Sequence, residues 1–186
     1  MPRPCATISA AFSVPMAEPD AAADVRLRSA SSADLPRIAA LGRWVWLDSY
    51  ADAGVSSSFA AYVEQAFSIA TLEAELQRGS MWLIEVADQL QAWAQLGEPQ
   101  DGRIELMRLY VVPPCHGQGL GARLLRQVRA AHPRQSVWLS AWEGNAGALR
   151  FYRREGAQVL GETWFELDGQ RHRNEVLGWP ALEAAP

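Results

Sequence analysis

The chain has 186 residues, of which 49% are hydrophobic, and it carries a formal net charge of −4 with an isoelectric point near 5.4. This length and composition suffice for one well-buried domain of ordinary size. The acidic balance excludes the basic surface that nucleic-acid binding needs, and no long apolar run predicts a membrane span, so we expect neither partner. A net negative charge instead favours a small cationic substrate.

The N-terminal segment differs from the rest of the chain. Residues Met1–Ala23 are rich in Ala, Pro and Ser and show no periodicity, so they predict a disordered extension in which Met16 could equally be the true start. We expect a single domain over residues 24–180 and a short tail at 181–186.

Apolar and turn residues predict the elements of the domain in chain order. The first are a strand at Val25–Arg28, a helix capped by Ser31 or Ser32 that runs through Trp46, helices at Phe59–Phe67 and Leu72–Leu76, and strands at Met81–Val86 and Leu90–Leu96. The last two strands are an antiparallel pair across Asp88-Gln89, a turn without glycine whose type stays open. Near the C-terminus, Trp164–Leu167 and Asn174–Trp179 form another predicted pair, with Asp168-Gly169 as a strong hairpin signal.

Residues 103–132 combine a predicted strand, a glycine loop and a helix. The strand spans Ile104–Val112, where two prolines end it, and the helix spans Leu120–Ala131 because its apolar residues recur at helical spacing. The loop between them has glycine at every second position, at Gly117, Gly119 and Gly121. Glycines let a phosphate approach the backbone, and the free N–H groups and dipole of a first helical turn attract anions. The loop therefore predicts an anion site.

Two nucleotide-binding motifs must be compared with this loop. A P-loop needs Lys-Ser or Lys-Thr after its last glycine, whereas Gly121 is followed by Ala122-Arg123, so that motif is excluded. The dinucleotide fingerprint G-x-G-x-x-[GA] is satisfied, and Glu143 follows about 20 residues later, where a ribose ligand would be expected. Its position past the middle of the chain argues against an NAD site, since such units usually begin a domain.

The next segments distinguish these readings. A strand is predicted over Val137–Trp142, and Asn145 can cap a helix that Gly156 ends. Asn145, Leu149 and Tyr152 stand at i, i+4 and i+7, so they share one helix face. Together LYVVPP, HGQGLGA and WLSAWEGNAGALRFYRREGA resemble the GCN5-related N-acetyltransferase (GNAT) family, and within it the bacterial polyamine and small-amine branch. The resemblance covers residues 104–159 and extends more weakly upstream to residue 25.

The resemblance implies a fold and a cosubstrate. The fold is α/β, with a mixed sheet of about seven strands flanked by helices. The strand ending at Val112 is expected to splay from the strand at Val137–Trp142, and the pantetheine arm of acetyl-CoA to lie in the opening. The implied cofactor-binding residues are Leu109, Tyr110 and Val111 for the pantetheine, His116, Gly117, Gln118, Gly119, Leu120, Gly121 and Ala122 for the pyrophosphate, and Asn145 and Tyr152 besides. His116 departs from the family pattern, which has Arg or Gln at its position.

The implied reaction moves an acetyl group from a thioester to an amine. The amine must lose a proton, and Glu105, in the polar phase of the central strand, is the candidate general base; a strand residue paired with a neighbouring arginine is the structural alternative. The departing thiol needs a proton or a hydrogen bond, and Tyr152 is the candidate donor; a core tyrosine packed beside Phe151 is the alternative. No metal is expected, because the histidines lack metal spacing, and Cys5 and Cys115 suggest no disulfide.

The acceptor is less defined. Trp44, Trp46 and Tyr50, with Asp48 and Asp52, fall where the family's acceptor pocket would lie, and aromatic rings beside carboxylates suit an ammonium group. The first expectation is a polyamine-like small amine, and the second is a protein or peptide N-terminus. An acyl-CoA-binding regulatory module without turnover is the alternative from another class. We expect a cytoplasmic protein, and a homodimer is left open.

Overall fold

The computed structural model describes residues 24–51, 53–167 and 169–182. The predicted disordered extension with Cys5 and Met16, the side chains of Asp52 and Asp168, and residues 183–186 of the predicted tail lie outside this described part.

Seven strands and five α-helices follow one another along the described chain. They are β1 (Val25–Ser29), α1 (Leu35–Tyr50), α2 (Ser57–Ala66), α3 (Ile69–Arg78), β2 (Ser80–Val86), β3 (Gln89–Leu96), β4 (Arg103–Val111), α4 (Leu120–Ala131), β5 (Ser136–Trp142), α5 (Ala146–Arg154), β6 (Gln158–Leu167) and β7 (Gln170–Trp179). The order of strands and helices predicted from the sequence, and with it the α/β fold, is confirmed.

The strands form one mixed sheet in the order β1-β2-β3-β4-β5-β7-β6. Neighbouring strands are antiparallel, apart from the parallel pair β4 and β5. This pair is joined over three residues, Arg103–Glu105 against Ser136–Trp138, although β4 continues to Val111. Against β3, Gln95 pairs with Arg108 and the next residue with Leu106, so Met107 is an additional residue that forms a β-bulge. The sheet therefore opens between β4 and β5 just beyond Glu105.

Apolar side chains cover both faces of the sheet. On one face α4 and α5 pack through residues such as Leu124 and Val128, which are fully buried. On the other face α1, α2 and α3 bury Ile38, Phe67 and Leu72. These two cores hold β4 from both sides, and they fix the position of the opening beside it.

A partly buried ion cluster attaches β1 and the start of α1 to β2. Arg28 bonds the carboxylates of Asp34 and Glu85 at 2.7–2.9 Å, and Arg37 bonds both at 2.7 Å. Hydrogen bonds from Arg28 are the main reason that the pKa values of both carboxyl groups lie below their ordinary range. The two carboxylates are buried, whereas the side chains of Arg28 and Arg37 are 32% and 42% exposed, so solvent screens the pairs and the cluster anchors β1 and α1 by less than a fully buried ion pair would.

Two local predictions need correction or completion. The strand β6 begins at Gln158 rather than Trp164, because it pairs with β7 along its whole length while its side chains stay exposed, so no apolar alternation marks its first half. The turn between β2 and β3 has positive φ angles at Ala87 (49°) and Asp88 (60°), which is the left-handed geometry of a tight hairpin turn built without glycine.

Candidate functional site

The gap between β4 and β5 opens into a cleft of about 600 Å³. Its walls come from the second half of β4, the glycine loop, the first turn of α4, the end of β5, α5 and the end of α1. The described residues that line it include Ser49, Tyr50, Leu106, Met107, Arg108, Leu109, Tyr110, Val111, Cys115, His116, Gly117, Gly119, Leu120, Gly121, Ala122, Ser140, Asn145, Phe151, Tyr152 and Arg154. Most of the residues predicted to bind the cofactor are thus brought together in one cleft.

The backbone of β4 is unpaired on the side of the cleft. On one side, β3 pairs with Leu109, Tyr110 and Val111. On the other side, the pairing of β4 with β5 ends at Glu105 and Trp138, so these three residues have no strand partner there. In a strand, alternate residues direct their N–H and C=O groups to each neighbour, so this edge presents backbone groups to the cleft; among them, the carbonyl oxygen of Val111 lies 2.9 Å from His116 Nε2. An extended chain with amides of its own, such as pantetheine, fits this edge.

The glycine loop forms a cradle without side chains. Gly117 and Gly119 both have a φ of +79°, and no atom lies within 4 Å of where a Cβ would stand on either residue. Gly119 is the N-cap of α4 and provides no side-chain cap for the first turn, whose N–H groups lack intrahelical partners. A Cβ on Gly121 would approach the Phe151 ring to 3.3 Å. Open space, free N–H groups and the positive end of the helix dipole fit a pyrophosphate.

Two side chains of the loop are engaged with the backbone before it. The Nε2 atom of His116 lies 2.9 Å from the carbonyl oxygen of Val111, and Gln118 donates a hydrogen bond to the carbonyl oxygen of Pro114 at 3.3 Å. His116 lines the cleft, whereas Gln118 is not among the described lining residues. The backbone of the loop is therefore better placed for a ligand than the Gln118 side chain is.

Tyr152 lies inside the cleft on α5. Its position follows from the N-cap of this helix, where the side chain of Asn145 accepts a hydrogen bond from the Ala148 amide at 3.0 Å. The Tyr152 ring is buried and contacts Phe151 and Trp179, with ring centroids 5.2 and 6.1 Å apart. Burial, and secondarily the nearby Tyr50, raises the pKa of Tyr152 above its ordinary value. The phenol therefore stays protonated near neutral pH and can donate a hydrogen bond.

Glu105 lies at the point where β4 and β5 separate. It is half-buried and stands opposite Trp138 in the last position at which β4 pairs with β5. It is not among the described residues that line the cleft, which on β4 begin at Leu106. Burial raises the pKa of its carboxyl group. Glu105 is thus next to the cleft, and a water molecule between its carboxylate and an amine in the cleft suits this position.

Sequence reasoning missed several polar side chains of the cleft. Ser49 of α1 and Ser140 of β5 both line it, and Arg108 and Arg154 bring positive charge. None belongs to a motif, and Arg108 was considered only as a partner for Glu105. Only the opening of the sheet, which the sequence does not reveal, groups these four residues.

Some of the residues predicted to form an aromatic acceptor pocket lie at the cleft. Tyr50 lines the cleft, and Trp46 packs beneath it with ring centroids 5.1 Å apart, itself buried. Trp44 is 49% exposed and is not among the described lining residues, and neither is Asp48. Rings that the sequence analysis did not select complete the cluster, since Tyr62 of α2 contacts both Trp46 and Phe165 of β6.

Other reactive groups are accounted for within the described residues. The Cys115 thiol donates to the Gln91 side chain at 3.3 Å, and burial raises its pKa, so it is a poor nucleophile. In the part of the chain that the structure describes, His, Cys, Asp and Glu form no group of three able to hold a metal ion. None of the helices described is long and apolar enough to cross a membrane.

Comparison with known proteins gives one consistent result. The family model for the acetyltransferase (GNAT) family matches residues 39–157. A probable N-acetyltransferase of Mycobacterium tuberculosis is 28% identical over 158 residues, which cover 78% of this chain and 88% of that protein. The peptidyl-lysine N-acetyltransferase YiaC of Escherichia coli is 25% identical over 111 residues, which cover 60% of this chain and 70% of that protein.

A solved structure shows the same fold. The PaiA N-acetyltransferase from Thermoplasma acidophilum, crystallised in complex with coenzyme A, superimposes with a TM-score of 0.69. The match covers 82% of this chain and 98% of that protein, at 20% sequence identity.

Proposed function

The chain belongs to the acetyltransferase (GNAT) family and is an acetyl-CoA-dependent N-acetyltransferase, and from that premise we propose that its acceptor is a primary amine of a small molecule. The observation that carries the proposal is the single cleft in which the open edge of β4, the uncapped start of α4 and the phenol of Tyr152 meet. A polyamine-like acceptor, expected from the acidic composition, stays a prediction, as does a peptide amine.

The chain's own groups have separate roles in binding. The backbone of Leu109, Tyr110 and Val111 would bond the pantetheine amides, and the first-turn N–H groups of α4 would bind the pyrophosphate. Asn145 holds the first turn of α5 and so the position of Tyr152. Bound acetyl-CoA supplies a thioester carbon that an amine can attack and a thiol that can leave.

Proton transfer sets what the side chains must do. An alkylamine with a pKa of about 10.4 needs roughly 4.6 kcal/mol to become the free base at pH 7. We assign removal of that proton to Glu105, directly or through one water molecule. Full proton transfer from an ordinary phenol to a thiolate is already uphill by about 2 kcal/mol, and burial makes it harder for Tyr152. We therefore assign Tyr152 the role of hydrogen-bond donor to the leaving sulfur.

Ligand-induced stabilisation tests the cofactor site. Acetyl-CoA at about 100 times its dissociation constant should add roughly 2.7 kcal/mol to the free energy of unfolding, and the melting temperature should rise accordingly. NAD at the same concentration should leave it unchanged, because the loop is not followed by a dinucleotide domain. Thiol release across a panel of small amines and peptides then tests turnover. If acetyl-CoA stabilised the protein but no amine in the panel caused thiol release from it, the acyl-CoA-binding module would be favoured.

Replacing Glu105 with glutamine tests the base. The change keeps the size of the side chain and removes the group that accepts the proton, so kcat/KM should fall by about 100-fold. Because burial raises the pKa of Glu105, the unmodified enzyme should lose activity as the pH falls through a value above that of an ordinary glutamate. Rates measured from pH 5 to 9 should show this acid limb followed by a plateau. In Glu105→Gln the plateau should be lost and the rate should keep rising with pH, because the fraction of free amine then limits it. An unchanged profile would assign deprotonation to solvent.

A further inference from the structure

Arg108 is a fixed cation in the wall of the cleft. Its Nη1 atom donates to the Glu75 carboxylate at 2.7 Å and to the side-chain oxygen of Gln95 at 2.5 Å. Gln95 in turn donates to the same carboxylate at 2.9 Å and is fully buried. The guanidinium carbon lies 5.4 Å from the centre of the Phe67 ring. Three neighbours thus hold the guanidinium in one orientation before any ligand arrives.

The same guanidinium has further N–H donors that bond no described residue. Both contacts to Glu75 and Gln95 use Nη1, and among the described residues Nε and Nη2 of Arg108 have no hydrogen-bonding partner. The side chain is 12% exposed, and Arg108 lines the cleft. A planar guanidinium with two adjacent free N–H directions matches the two oxygens of a carboxylate.

The charge of the cleft favours an anion at this place. No described residue that lines the cleft carries a carboxylate, whereas Arg108 and Arg154 carry positive charge, which Glu75 at 2.7 Å and Glu155 at 3.5 Å offset only from outside the lining. A polyamine would bring a second cation toward Arg108 without a described carboxylate in the lining to receive it. A carboxylate placed there would gain a charge-assisted bidentate hydrogen bond in a partly dry site.

We propose that Arg108 binds a carboxylate of the acceptor, so that the preferred small amines are amino acids and related molecules that carry an amine and a carboxylate together. This inference rests on the proposed function and refines its substrate class. The aromatic cluster of Trp46, Tyr50, Tyr62 and Phe165 beside the cleft suits an apolar or aromatic side chain on the same molecule.

Matched acceptors test this on the unmodified enzyme. Thiol release from acetyl-CoA is followed with L-phenylalanine, L-phenylalaninamide, phenethylamine and spermidine. We expect kcat/KM for phenylalanine to exceed the values for the other three by at least 10-fold. The amine of phenylalaninamide is less basic than that of phenylalanine, so more of it is free base at a given pH. Amine basicity alone would therefore favour the amide, and a preference for the acid must come from its carboxylate.

Variants then assign the preference to Arg108. Arg108→Lys keeps a positive charge beside Glu75 but loses the planar fork, and Arg108→Met removes the charge; each should reduce the ratio of acid to amide to less than about 3-fold, mainly through KM. Arg26→Lys, on β1 at the far edge of the sheet, is the matched control and should keep the ratio.

The outcomes separate the two proposals. Equal kcat/KM for acid and amide, or a preference for spermidine, would overturn the role of Arg108 while the acetyltransferase function stands. If none of the amines tested produced thiol release from acetyl-CoA, the proposed function itself would be contradicted. Should Arg108→Met fail to fold, the ratio measured on the unmodified enzyme and on Arg108→Lys decides the question.

Discussion

Replacing Tyr152 with phenylalanine is expected to lower kcat by about 100-fold or more, which corresponds to about 2.7 kcal/mol of transition-state stabilisation. The change keeps the ring and its packing against Phe151 and Trp179 but deletes the hydroxyl that we assign to the leaving sulfur. Affinity for acetyl-CoA should stay within a few-fold, because the donor acts mainly on charge that develops during the reaction. Steady-state kinetics and calorimetric titration measure the two quantities.

The pH dependence of the unmodified enzyme and the variant Tyr110→Phe serve as controls for Tyr152→Phe. Burial raises the pKa of Tyr152, so the unmodified enzyme should show no loss of activity from phenol ionisation up to about pH 10. Tyr110→Phe removes a half-buried phenol whose ring packs against Trp93 on the opposite face of β4. Only the backbone of Tyr110 is assigned to pantetheine binding, so kcat should change much less. An unchanged kcat in Tyr152→Phe would mean that the hydroxyl serves packing and that water supplies the proton.

Replacing Gly119 with aspartate is expected to weaken acetyl-CoA binding by about 100-fold or more. Aspartate and asparagine tolerate the left-handed conformation better than other side chains, at a cost of roughly 1 kcal/mol, and no atom lies within 4 Å of the new Cβ. The carboxylate would instead enter the space that we assign to the pyrophosphate and repel it. Calorimetric titration with acetyl-CoA measures the loss.

Gly119→Asn separates charge from volume. It adds a side chain of nearly the same shape without the charge, so it should weaken binding by only about 10-fold, while both variants keep melting temperatures close to each other. Equal losses of affinity in the two variants would point to steric exclusion alone. No loss in either would move the pyrophosphate away from the start of α4.

The sequence was sufficient for those parts of the site that are local. Alternating glycines, the prolines after β4 and the helical period of α4 all lie within residues 103–132, so the strand, loop and helix are predicted with little need for tertiary information. Tyr152 is found in the same way, because it stands at helical spacing from its own N-cap, Asn145.

The remaining parts depend on contacts that the local pattern does not contain. The bulge at Met107 changes the alternation of β4, so that Leu109 and Val111 pack on the face of α4 and Tyr110 on the face of α1. Simple alternation from Glu105 gives the opposite assignment. The contacts of Arg108 with Glu75 and Gln95 join three separate elements and cannot be read from spacing. The first half of β6 is exposed on both faces, so it lacks the apolar signal of a strand.

The ion cluster of Arg28, Asp34, Arg37 and Glu85 has a consequence for how this enzyme can change its acceptor over evolution. It fastens the beginning of α1, whereas Ser49 and Tyr50, which border the cleft, lie at the other end of the same helix. We therefore expect substitutions near that end, and in the connection to α2, to reshape the part of the cleft that we propose for the acceptor while the ion cluster keeps α1 attached to the sheet.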